Sequence, residues 1–359
     1  MTGSGVRLFA GPLRYLQGPG ALEELGELLA PYGPRPAVVT DAVVLDLIGD
    51  RLERILSASG LTPQFRLLPG EITAAAADEL AASLRESGPG VVAGIGGGKA
   101  IDAGKAVSLR LGVPVVTVPT IASNDSPTSR AVAMYDDEHR MASVDQLSAN
   151  PHAVVVDTAV VVTAPVRFLR AGIGDAIAKT YEAAGCAAGT GVTTLGTRPL
   201  RIGAFIADAA HDVLRAHAVA GVAACERQEL TPDVEAVVEA VVLLSGMGFE
   251  NGGLSLAHSL TRGLMRARGT KDALHGEHVA WASLVQLAAE GRDVSELLTF
   301  LVEVGVPVNL SGLGLPDASP EEVRDLARAT MTAPHLANLA VPVTEDDIVA
   351  AILAVEARG

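Results

Sequence analysis

The sequence predicts an α/β N-terminal domain built on a doubly wound parallel sheet, residues 1–160, followed by an all-α C-terminal domain, residues 161–359. Three observations predict it. Short apolar runs alternate with helix-length amphipathic segments through the first 150 residues, as strands joined by crossover helices do. Beyond about residue 160 the strand-like runs disappear and helical periodicity takes over. Hydrophobic residues make up 49% of the chain but aromatics only 3%, so the core is closely packed Ala, Val and Leu, which suits buried strands and tight helices. A chain of 359 residues also exceeds one small core and fits two domains.

The elements follow in order. RPAVVTDAVV holds a short β run ending at Thr40-Asp41, and LDLIGDRLERIL has apolar residues at helical spacing. TPQFRLLPG reads as a strand and AAAADELAASLRES as an Ala-rich helix. GPGVVAGIGGGKAIDAGKAVSLRLG runs from a buried strand through a glycine loop into a helix, and GVPVVTVPT is one more buried strand. After Ala164-Pro165, the stretches AIAKTYEAAGCAA, DVEAVVEAVVLLSGMGF, GLSLAHSLTRGLMRA and EHVAWASLVQLAA are all helical in period. There is no internal repeat and no low-complexity linker, so the two domains are expected to share a cleft with no flexible tether.

Composition narrows the function. The 27 Lys and Arg against 42 Asp and Glu leave a net charge of −15, which repels phosphate backbones and anionic lipid and argues against nucleic-acid and membrane-surface roles. No apolar run approaches the ~20 residues a membrane helix needs. MTGSGVRLFAGPLRY lacks a basic region followed by an apolar core, so a soluble, cytoplasmic protein is expected. Cys186 and Cys225 have no metal-type spacing and read as small buried fillers.

Several stretches carry chemistry. Gly94-Ile95-Gly96-Gly97-Gly98-Lys99 stands between a strand and a helix, where glycines let the backbone approach a diphosphate and a helix N-terminus offers N–H donors. It is not a P-loop, because Ala93 and Ala100 occupy positions that pattern needs as Gly and as Ser or Thr. Asp41, at the end of an early strand, is either a helix cap or an acceptor for ribose hydroxyls; a carboxylate there would favour NAD over NADP. VPTIASNDSPTSR is a polar loop containing Asp125, at the end of a buried strand where ligands bind in this architecture. In RAGIGDAIAKTYEA two glycines precede Asp175, read as starting a helix and open to a capping role. His258 is read as lying mid-helix on an apolar face, and the turn RARGTKD separates it from His275. Asp175, His258 and His275 would make three protein ligands with a coordination position left open, as at a catalytic divalent metal. His278, three residues after His275, raises the alternative of a two-histidine clamp on one helix.

These stretches, in this order, resemble the glycerol dehydrogenase branch of the iron-containing (group III) alcohol dehydrogenases. The likeness runs from RYLQGPGALEELGE to at least VQLAA, and its specific parts are GIGGGKAIDAGKA, VPTIASNDSPTS, APVRFLRAGIGDAIAKTYEA, GGLSLAHSL and LHGEHVA. The resemblance implies a Rossmann-like NAD-binding domain and a helical metal-binding domain, in the dehydroquinate synthase-like architecture. It implies NAD contacts at Asp41, Gly97, Gly98, Lys99, Thr120, Ser129, Ala131 and Tyr135. It implies a divalent metal, zinc with iron as the alternative, on Asp175, His258 and His275, and a polyol substrate beside Asp125. The implied chemistry is oxidation of a secondary hydroxyl, glycerol to dihydroxyacetone, with hydride passing to the nicotinamide, in a homo-oligomer (dimer or octamer). Departures are Asn124 where the family often has Thr, Arg130 where it has a small or apolar residue, and His278 where Lys is common. Alternatives are a dehydrogenase of another polyol, aminocyclitol or hydroxy acid, a non-catalytic NAD-binding sensor, and a sugar-phosphate cyclase of the dehydroquinate synthase type. A cyclase needs several basic residues for its phosphate, and the pocket loops offer only Arg130, Lys179, Arg262 and Lys271.

Overall fold

A computed structural model describes residues 5–136, 138 and 140–358. Its contacts divide these into two units, one of residues 11–122 and 126–164, the other of residues 5–10, 123–125 and 165–358.

The first unit is the α/β unit. Its main sheet contains β1 (Tyr15–Gly18), β2 (Ala37–Thr40), β3 (Gln64–Leu67), β4 (Val92–Gly96), β5 (Val115–Pro119) and β8 (Ala153–Asp157), in the order β1-β8-β5-β4-β2-β3. Every neighbouring pair is parallel. The strands β6 (Ala131–Tyr135) and β7 (Met141–Gln146) form a separate antiparallel pair. Three helices provide crossovers: α1 (Ala42–Ala58), α2 (Ala74–Leu84) and α3 (Gly98–Leu111). The central strands β2, β4 and β5 are buried at every position, and apolar apart from Thr40 and Thr117, because both faces are covered. Val38, Ala93, Ile95, Val116 and Val118 join one core with Leu52, Ile55 and Leu56 of α1. Their neighbours Ala37, Val39, Val92 and Val115 join the other, with residues of α2 and α3. The chain goes outward from β2 to β3, returns to β4 and then builds β5 and β8 on the far side. The reversal lies between β2 and β4, the place where such sheets bind ligands.

The second unit is helical. Its main helices are α4 (Val166–Ile177), α5 (Lys179–Ala188), α6 (Arg201–Glu226), α7 (Pro232–Glu239), α8 (Ser245–Gly252), α9 (Leu256–Leu264), α10 (His275–Ala289), α11 (Ser295–Val304), α12 (Pro320–Thr330) and α13 (Glu345–Glu356). A π turn, Ala240–Leu244, joins α7 to α8. Helix α10 is the centre, buried from Gly276 to Leu287. The indole N–H of its Trp281 donates to Glu356 of α13 at 2.8 Å. Among the described residues no helix is long and apolar enough to cross a membrane.

Two helix placements differ from the sequence reading. Asp175 is in the last turn of α4, not at a helix start, because the helix begins nine residues earlier, after Pro165, and continues through both glycines. His258 is in the first turn of α9, not mid-helix, because α9 begins at Leu256. The strands β1, β6, β7 and β8 are further elements beyond those read from the sequence.

Candidate metal and dinucleotide sites

The helical unit gathers Asp175, His258 and His275, which offer ligand atoms all within 4.8 Å of one another. The crossing of α4 and α10 brings two of them together. A Cβ on Gly276 would lie 1.8 Å from the carbonyl oxygen of Ala171, and one on Gly174 would lie 2.6 Å from that of Gly276. Only glycine permits this approach, and each glycine is the sequence neighbour of a candidate ligand, Asp175 or His275. Arg167, in the first turn of α4, grips Glu277 of α10 with two contacts of 2.8 Å and locks the crossing. The third member, His258, comes from α9, with its ring centroid 5.3 Å from that of His275.

A buried acid orients His258. Glu182, fully buried on α5, accepts from His258 Nδ1 at 2.6 Å and from the backbone N–H groups of Ser255 (2.8 Å) and His258 (3.0 Å). A carboxylate can only accept, so Nδ1 carries a proton, and Nε2, 3.4 Å from Asp175 Oδ1, is the nitrogen left to meet a metal ion. Asp175, Lys179 and Glu182 are spaced i, i+4, i+7, a buried polar stripe. Lys179 Nζ donates to Asp175 Oδ1 at 2.5 Å, and lies 3.3 Å from His258 Nε2 and 3.3 Å from Asp125 Oδ2. Asp125 also accepts from Ser245 Oγ at 2.6 Å. This acid belongs to the helical unit together with Ser123 and Asn124, although the loop on either side belongs to the α/β unit.

The electrostatics follow from burial against charge. Burial disfavours the His258 imidazolium, but the Glu182 carboxylate overrides it and raises the group to about 9. His275 lacks such a partner: burial, only partly opposed by Asp175, lowers it to about 4. Burial alone would raise Asp175, yet Lys179 and the histidines hold it well below the usual carboxylate range. Asp125 is raised, first by burial and then by the Asp175 carboxylate, against the pull of Lys179 and Ser245. His335 is lowered to about 4 by burial and by the neighbouring His258 charge.

The donor set fits a metal ion. Asp175 Oδ2 is buried with no hydrogen-bond partner among the described residues, a state that costs about 1–3 kcal/mol or more for a charged group unless a cation satisfies it. Two imidazoles and one carboxylate match the three-ligand sets of catalytic divalent ions. His278 is not in this group: it is buried, and its Nε2 lies 3.0 Å from the carbonyl oxygen of Thr270.

The α/β unit holds the residues expected to contact NAD. Asp41 follows β2, Gly97, Gly98 and Lys99 follow β4, and Thr120 follows β5, so all stand at the carboxyl ends of parallel strands around the β2/β4 reversal. Asp41 Oδ1 caps α1 through the N–H of Val44 at 2.9 Å. Its Oδ2 lies 3.2 Å from where a Cβ on Gly96 would be, at a positive φ of 141°. The glycine loop thus runs past the acid with bare backbone, and Gly97 forms the N-cap of α3. Those features fit a diphosphate at the helix N-terminus with a ribose at Asp41. Lys99 is half-exposed and paired with Glu71. The backbone N–H of Thr120 donates to Gly96 at 3.1 Å, tying β5 to the loop. Ser129 is buried, and Ala131 and Tyr135 begin and end β6. A buried pair on α3, Asp102 and Lys105, 3.3 Å apart, holds this segment in place. Lys105 Nζ donates to the carbonyl oxygens of Ser126 (2.5 Å) and Ala131 (2.8 Å), and Asp102 accepts from Ser126 Oγ at 2.6 Å.

Sequence reasoning did not single out Glu182, Ser245 or His335, and took Lys179 only as a possible phosphate ligand. The i, i+4, i+7 spacing of Asp175, Lys179 and Glu182 across α4 and α5 was the available signal for Lys179 and Glu182. Ser245 left none.

Comparison with known proteins is consistent with this geometry. A family model described as iron-containing alcohol dehydrogenase matches residues 12–158. The chain is 35% identical to a glycerol dehydrogenase of Pseudomonas putida over 357 residues, 98% of each protein. It is 37% identical to a glycolaldehyde reductase of Halobacterium salinarum over 319 residues, 88% of this chain and 87% of that one. Among solved structures, a probable glycerol dehydrogenase from Sinorhizobium meliloti 1021 matches with a TM-score of 0.93 at 36% identity, covering 98% of this chain and 99% of the other.

Proposed function

This chain belongs to the iron-containing alcohol dehydrogenase family, in its glycerol dehydrogenase branch, and from that premise we propose that it is a metal-dependent, NAD-linked oxidoreductase of small polyols, oxidising glycerol to dihydroxyacetone. What carries the reading is the convergence of Asp175, His258 and His275, with Asp175 Oδ2 buried and unpartnered. A divalent ion bound there, zinc before iron, would supply Lewis acidity toward a hydroxyl oxygen, and oxidised NAD the hydride acceptor.

The chain's own groups do the rest. Glu182 holds a proton on His258 Nδ1, so a metal ion binding at Nε2 would displace only the second proton of the imidazolium. Burial keeps the imidazole of His275 neutral at physiological pH, the form a ligand requires. Asp125 would accept a hydrogen bond from the hydroxyl next to the reacting one, selecting vicinal diols and α-hydroxy carbonyls. Glycerol, named for one relative, and glycolaldehyde, named for another, share that vicinal oxygen. The bare glycine loop and Asp41 would hold the dinucleotide through its diphosphate and a ribose.

The test is a screen of polyols with NAD on protein stripped of metal and reloaded with zinc or with iron. Glycerol-dependent NADH formation, restored by metal, is expected. His275→Ala should abolish metal binding and turnover while NADH still binds; turnover retained by that variant would sink the proposal.

A further inference from the structure

The π turn at Ala240–Leu244 has no part in the site described above, yet it ends directly before Ser245. A π turn inserts one extra residue into a helix and swings everything beyond it by roughly 100° relative to an unbroken α-helix. Upstream, Val234, Val237 and Val238 are buried, and Val237 packs on α6 at Gly221. Downstream, Ser245 and Phe249, four residues apart on one face, meet different groups. Ser245 Oγ donates to Asp125 Oδ2 at 2.6 Å, and the Phe249 ring centroid is 5.7 Å from Lys179 Nζ. With the upstream packing unchanged, a regular helix would turn this face away from both.

Asp125 needs such support. It is buried beside a second carboxylate, and it comes from a three-residue piece of chain, Ser123–Asp125, that packs with the helical unit. Ser245 and Lys179 both address the same oxygen, Oδ2, so together they define the rotation of the carboxylate. A hydroxyl that donates to a carboxylate does so directionally, whereas an ammonium 3.3 Å away supplies charge with little angular preference.

We propose that Ser245, aimed by the π turn, is a positioning residue that orients the Asp125 carboxylate toward the substrate hydroxyl adjacent to the reacting one, and so determines diol selectivity. The proposal rests on the polyol reading of Asp125 above. Ser245 acts through Asp125 and touches no substrate.

The test is a double-mutant cycle on zinc-loaded enzyme with NAD, using Ser245→Ala, Ser245→Thr, Asp125→Asn and the Ala/Asn double variant. The readout is the ratio of kcat/KM for glycerol to that for propan-2-ol, which lacks the neighbouring hydroxyl. Losing one hydrogen bond to a charged group lowers that ratio roughly ten-fold in Ser245→Ala, with the change in the KM for glycerol. Ser245→Thr keeps the hydroxyl and restores the ratio, and the double variant matches Asp125→Asn alone, because both substitutions remove the same interaction. Bound zinc and NADH affinity, measured alongside, stay at wild-type values in Ser245→Ala; their loss would make Ser245 a structural residue and overturn the proposal. A wild-type ratio in Ser245→Ala beside a lowered one in Asp125→Asn overturns this proposal alone. A wild-type ratio in Asp125→Asn overturns the reading of Asp125 on which it rests.

Discussion

Replacing Glu182 with Gln tests how the metal site is built. The carboxylate is fully buried and accepts three hydrogen bonds, from His258 Nδ1 at 2.6 Å, Ser255 N–H at 2.8 Å and His258 N–H at 3.0 Å. Gln has one acceptor and one donor head. If its oxygen takes the two backbone N–H groups, as Glu182 Oε1 does, its NH₂ must face Nδ1. Nδ1 then becomes the acceptor and the proton moves to Nε2, which blocks the lone pair a metal needs. Loss of an orienting carboxylate behind a histidine ligand typically costs 10–100-fold in metal affinity, about 1.4–2.7 kcal/mol. The assay is a zinc titration of metal-stripped protein against a fluorescent chelator, with thermal melts to verify folding. An affinity for the Gln variant within two-fold of wild type would refute the assignment of His258 as a ligand held by Glu182.

Two further outcomes are expected. His278→Ala should keep its zinc, because the ring is engaged 3.0 Å from the Thr270 carbonyl oxygen and lies outside the three-residue donor group; the cost is stability, about 1–3 kcal/mol in a denaturant melt, and loss of zinc would favour the two-histidine clamp. His335 is lowered to about 4 by burial, below its unfolded value of about 6.5, so the folded state binds fewer protons in that window. Stability from this group is present above pH 6.5 and drains away as pH falls toward 4, by at most about 3 kcal/mol, and His335→Gln should flatten that part of the curve in denaturant melts at stepped pH.

The strand–helix alternation was legible because strands buried on both faces are nearly continuous apolar runs, and α-helices must repeat every 3.6 residues. Such patterns are local, so RPAVVT and GVPVVTVPT announce β2 and β5 without reference to anything else. The strand β8, AVVVD, is as apolar as these and could have been read on the same ground. The edge strand β1 and the β6–β7 pair were harder, since partly exposed strands carry mixed residues. Asp175 was misplaced by a local rule: two glycines suggest a helix boundary in isolation, whereas here they lie inside α4 because α10 crosses over them.

By itself the sequence determined the fold class, the glycine loop at a strand end and the residue types able to hold a divalent ion, since each is written in composition or in short-range spacing. Only the tertiary structure decided that Asp175, His258 and His275, spread over a hundred residues of chain, bring ligand atoms within 4.8 Å of one another. It alone decided that Glu182 stands behind His258, that a three-residue stretch with Asp125 packs in the helical unit, and that a π turn aims Ser245 at it. The physical reason is that directional contacts depend on how helices cross and rotate. A Cβ absent at Gly276 or one extra residue in a helical turn changes those crossings while leaving the hydrophobic pattern intact.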